Sequence, residues 1–75
     1  MISLETVEKV IGTNSEGKRI LQVSLNADTA DEVKAIGNDP TDVDGMASDT
    51  IIAPFSSAFT VDQDLLVLGS NNVWK

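Results

Sequence analysis

A chain of 75 residues with twelve acidic and five basic side chains, a net charge of −7 and no histidine or cysteine has a restricted chemistry. It can form no disulfide or thiolate metal site, and it lacks the commonest general base and zinc ligand. Among its bases only Lys18 and Arg19 are adjacent, whereas binding to phosphate-rich partners draws on clustered Lys and Arg, so neither nucleic acid nor a membrane is expected as a partner.

Size leads to association. Val, Ile, Leu and Phe make up 22 of the 75 residues, above the level of a disordered chain, so residues 1–75 should fold as one small domain. A chain this short buries only about 60% of the surface it exposes when unfolded. Small cores are usually reinforced by disulfides, metals or oligomerisation. Here association with copies of itself or with a larger assembly is the expected reinforcement. The opening stretch "MISLETVEKVIG" has neither the basic run nor the apolar length of a signal or anchor, so synthesis in the cytosol is expected.

In chain order, "SLETVEKVIG" admits two readings. Leu4, Val7, Val10 and Ile11 fit helical spacing, while Val7, Lys9 and Ile11 fit a strand less cleanly. The polar connector "GTNSEGK" follows, and "RILQVSLNA" then alternates Leu21, Val23 and Leu25 with polar residues, the period of a half-buried strand. A strand just across a short turn favours a hairpin. "DTADEVKAIGND" predicts a short helix: Thr29 and Glu32 form a capping box, Ala30, Val33 and Ile36 form a stripe, and Gly37 ends it. About two turns of helix cannot persist alone in water and must lean on a sheet. After a turn-rich loop, "TIIA", "SAFTV", "LLVL" and "VWK" alternate with turns and predict a β-meander. The expected fold is mainly β with one short helix, a small α+β domain: N-terminal hairpin, short helix, C-terminal β-meander. Residues 1–26 can be set apart as a hairpin or attachment element, and residues 40–75 as the meander.

Three constellations bear on chemistry. Asp39, Asp42 and Asp44 precede Gly45, but a calcium loop anchored on that glycine would start at Pro40 and end at Ile51, neither of them a ligand. Ser56 and Ser57 have no histidine to activate them. Asp62 and Asp64 flank a turn, where both would be solvated rather than held together in a cleft. The chain is therefore not expected to be an enzyme, and no catalytic, cofactor-binding or metal-binding residue is assigned.

Trp74 has two readings, a buried plug or an exposed platform. Burying an indole removes about 150–250 Å² from water, worth roughly 4–6 kcal/mol at 25 cal/mol/Å². That could decide whether the last strand stays attached, which favours the plug. In "LLVL", Leu66 and Leu68 face one way while Leu65 and Val67 face the other, and a strand apolar on both sides is covered on both. The expected contact face comprises Phe59, Leu65, Leu66, Val67 and Leu68, with Trp74 packing beneath it.

The last 36 residues, from "PTDVDG" to "NNVWK", also follow a rhythm: Ser56–Ser57–Ala58, then Val61–Asp62, then Leu65–Leu68, then the "GSNN" turn at Gly69–Asn72, then Trp74. In this the chain resembles the short modules of bacteriophage head-fibre and related virion proteins. Two positions depart from that pattern: Phe55 stands where glycine is common, and Leu66 replaces an aromatic residue. The resemblance implies a structural protein of a tailed phage virion, a head fibre or head decoration made in the host cytoplasm. It would act through contacts with a capsid protein or with its own copies, as a trimer by analogy with fibres. The rival expectation is a carbohydrate- or surface-polymer-binding module, with Trp74 and Phe59 as platform and Asn71, Asn72 and Asp62 beside it.

Overall fold

The computed structural model describes residues 1–75 and shows one mixed sheet with a single short helix. The elements are β1 (Ile2–Thr13), β2 (Arg19–Ala27), α1 (Ala30–Ile36), β3 (Val43–Asp44), β4 (Thr50–Ile52), β5 (Ser57–Thr60) and β6 (Leu65–Val67). The strands run in the order β3-β1-β2-β5-β6, with β4 also on β2. This is the mainly β, small α+β fold expected from the sequence.

β1 and β2 form the antiparallel hairpin. Asn14 builds its turn: the Asn14 side-chain oxygen accepts from the N–H groups of Glu16 at 3.0 Å and Lys18 at 2.9 Å. Gly17, at φ 83°, supplies the left-handed residue that closes it. The helix-like spacing of Leu4, Val7 and Val10 has a physical cause. Register shifts fall between Leu4 and Thr6, between Val7 and Lys9, and between Val10 and Gly12. Each shift inserts one extra residue, so residues three apart stay on one face, opposite Leu25, Val23 and Leu21. A bulged strand thereby imitates the period of a helix.

Helix α1 begins at the capping box. Thr29 Oγ1 accepts from Glu32 N–H at 3.3 Å, while Glu32 Oε2 accepts from Thr29 N–H at 2.9 Å. Val33 is fully buried, Ala30 and Ile36 pack at the edge of the core, and Gly37, at φ 54°, turns the chain away. The N-terminal amine lies 2.7 Å from both Asp28 and Glu32. The hydrogen bonds to Asp28 and Glu32 raise the amine pKa above its ordinary 8.0, and the bond to the amine lowers that of Glu32 below 4.5. A depressed carboxyl stabilises the fold above its unfolded value, and that contribution is lost as pH falls through the folded one. A raised amine stabilises below its unfolded value, and that contribution is lost as pH rises through the folded one. Comparison of wild type with Glu32→Gln, which keeps the cap but loses the charge, should show a melting-temperature gap that is widest between pH 4.5 and 8.0. The gap should close toward either side, and an offset constant with pH would refute the ion pair's role.

Past the helix, β3 runs parallel to β1, pairing Val43 with Ile2. β4 and β5 then lie in succession along the same edge of β2, both parallel to it, at Arg19–Leu21 and Ser24–Ala27. The C-terminal meander accordingly starts at β5, not at Thr50: β5 and β6 are antiparallel, and the final residues fold back on β6 through a Leu68–Trp74 bridge. Between β4 and β5 the chain leaves the ladder at Ala53–Ser56. The stranded N–H of Val23 donates instead to Ser56 Oγ at 3.0 Å, and that hydroxyl donates to the Ala53 carbonyl at 2.7 Å. Ser56 is wholly buried there. It replaces one backbone partner in the sheet, because an orphaned buried N–H is costly.

The core lies on one face of the sheet and draws on every part of the chain from Ile2 to Trp74, with Leu21, Val23 and Leu25 of β2 at its centre. Trp74 is 1% exposed, and its indole N–H donates to the Gly37 carbonyl at 2.8 Å. The plug therefore joins the chain's last strand to the end of its helix.

Candidate contact face

The alternation seen in "LLVL" becomes a division of labour in β6. Leu66 and Leu68, at 4% and 0% exposed, point into the core, whereas Leu65 and Val67 remain 63% and 41% exposed on the sheet face opposite the helix. Pairing extends that open face sideways. Phe59 sits opposite Leu65, and Ser57 opposite Val67. Val73, next to Trp74, bonds back to Gly69, placing it on the same side as Val67. The result is an apolar stripe of Phe59, Leu65, Val67 and Val73 with nothing covering it. On its inner border the hydroxyls of Ser24 and Ser57 lie 3.2 Å apart.

Of the six residues assigned to the contact face, Phe59, Leu65 and Val67 lie together on this surface. Leu66 and Leu68 belong to the core and cannot contact a partner; strand alternation puts them on the buried side. Trp74 lies on the core side with them. An indole so enclosed cannot serve as a sugar platform, which corrects that role for Trp74. Val73 was missed, although its place one residue before the plug marks it as facing outward. A second exposed group, Val7, Val10 and Ile11, was also missed, because the unsettled period of β1 assigned its residues to neither face.

The serines and carboxylates of the three constellations lie apart. Ser56 is part of the sheet, Ser57 is engaged with Ser24, and Asp62 and Asp64 are exposed at the β5–β6 turn. Asp39 accepts from the Thr41 hydroxyl and N–H, which hold its carboxyl below the ordinary range. No three acidic side chains stand close enough to share a metal ion. An open depression of about 360 Å³ lies between Met1, Ile36 and Asp42. No helix is long and apolar enough to cross a membrane.

No protein-family model, curated protein or solved structure matches this chain. Phe55 has φ 71°, a left-handed backbone in which glycine is unstrained and phenylalanine is not.

Proposed function

We propose that this protein is a non-enzymatic structural component of a tailed bacteriophage virion, a head fibre or head decoration, working through protein–protein contacts on the open face of its sheet. The observation that carries the proposal is the uncovered stripe of Phe59, Leu65, Val67 and Val73. An apolar stripe bordered by polar groups on a small domain is the usual mark of a contact surface. Two further points support it. The strand–turn rhythm of the C-terminal half resembles virion modules, and the backbone at Phe55 has the geometry that favours the glycine those modules carry. The partners of this reading are a capsid protein, copies of the chain, or both, and its location is the particle.

Leu65→Asp tests it directly. The side chain is already 63% exposed, so the melting temperature should move by no more than a few degrees, consistent with about 0.5 kcal/mol for an ordinary surface change. Assembly should fall steeply, because a charge is placed in a desolvated contact. The expected result is that the wild-type chain copurifies with intact particles and the variant does not. A chain absent from purified particles would defeat the virion reading. Equal loss of folding and assembly in Leu65→Asp would defeat the assignment of the face.

The sugar-binding alternative loses Trp74 from its platform and retains only Phe59. No observation favours it over the contact reading.

A further inference from the structure

The exposed valines of the hairpin form a second apolar group with an instructive position. Val7 pairs with Val23 and Val10 with Leu21, both core residues, so Val7 and Val10 belong to the helix side of the sheet. The cover on that side stops short of them, leaving them 43% and 59% exposed, with Ile11 at 50%. β3 pairs only with Ile2 and Ser3, so the rest of β1 is a free edge. The stripe of Phe59, Leu65, Val67 and Val73 occupies the opposite edge and the opposite face.

Charge divides along the same line. Residues 1–27 hold three of the five bases, Lys9, Lys18 and Arg19, against three acids, and are neutral; residues 28–75 carry the whole net charge of −7. Arg19, two residues before Leu21 in β2, shares the side on which Val10 lies. At the other end Asp62 and Asp64 precede Leu65, while Lys75 pairs with Val67. Like ends meeting across a twofold would crowd four of these aspartates into one small interface. Unlike ends meeting would set the neutral hairpin, with Arg19 on its valine side, against the acidic end, and valines against the stripe.

We propose that copies of this protein associate head to tail, the hairpin flank of Val7, Val10 and Ile11 seating on the stripe of Phe59, Leu65 and Val67 in the next copy. The proposal rests on the reading of the stripe as a contact face and names its occupant. The contact is made by side chains. The three register shifts of β1, together with Glu5 and Glu8, make its free edge a poor template for simple strand addition. A head-to-tail contact leaves one unused end on each terminal copy, so it closes into a ring or extends as a filament.

The two ends can be inactivated separately. Val10→Asp disables the flank and Leu65→Asp the stripe, and each variant alone should sediment as a monomer at concentrations where wild type assembles. Mixed in equal amounts, they should form a one-to-one dimer and nothing larger, since each supplies the end the other lacks. Ile11→Asp and Val67→Asp, also at exposed positions, repeat the experiment should either first variant fail to show the shielded emission of a buried Trp74. Val10→Asp assembling like wild type would overturn the proposal and make the stripe bind its own kind. A wild-type chain that stays monomeric would overturn it too. The virion reading is judged separately, by copurification with particles.

Discussion

Trp74→Ala should remove a large share of the protein's stability. Truncating a buried tryptophan to alanine costs about 3–5 kcal/mol, and at 0.05–0.15 kcal/mol per residue a domain this size has roughly 4–11 kcal/mol in total. The substitution opens a cavity in the core and frees the Gly37 carbonyl that the indole N–H now satisfies. Deleting Val73–Lys75 should be worse still, since it also removes both backbone bonds between Val67 and Lys75. Urea denaturation followed by circular dichroism measures both. Trp74→Phe separates packing from polarity: it fills most of the space but cannot donate, and should cost about 1–3 kcal/mol for the carbonyl left unpaired. A Trp74→Ala protein that unfolds cooperatively within 1 kcal/mol of wild type would show that the indole is not what holds the last strand.

Ser56→Ala should destabilise the domain by about 1–3 kcal/mol, although the change removes a single oxygen atom. That oxygen accepts from Val23 and donates to Ala53 at the point where β4 gives way to β5. Without it the Val23 N–H is buried with no partner. Hydrogen exchange offers a local readout beside the melting curve, because Val23 should lose protection more than its neighbours in β2. Unchanged exchange at Val23 would mean that water or a backbone shift supplies the missing acceptor, and the role assigned to Ser56 would fail.

Features governed by near neighbours were readable in the sequence. The alternation of Leu21, Val23 and Leu25, the Thr29–Glu32 box and the opposed faces of Leu65 and Leu66 each follow from a few adjacent residues, and the structure contains all of them. Features set by distant partners were not. Nothing near Thr50 shows that it lies along Arg19 rather than beside β5, and the Ser56–Val23 bond joins residues 33 apart. β1 was ambiguous for a third reason, since its bulges rewrote the strand period. At the contact face the sequence implied a strand apolar on both sides, yet Leu66 and Leu68 were grouped with the outward residues. Applying alternation strictly would have left Leu65, Val67 and Phe59, the residues that stand exposed.

The way β2 is shared has a kinetic consequence. Its antiparallel partner β1 arrives through a five-residue turn and can zip up early, but β4 and β5 reach its other edge only after some thirty intervening residues have been drawn in. Such non-local parallel pairings slow folding relative to helical domains of equal length. Until they form, Ala58, Leu66 and Leu68 have no shelter, and the outer row of β6 has no defined orientation. The open face of β5 and β6 therefore takes its final orientation on the sheet only when those pairings close.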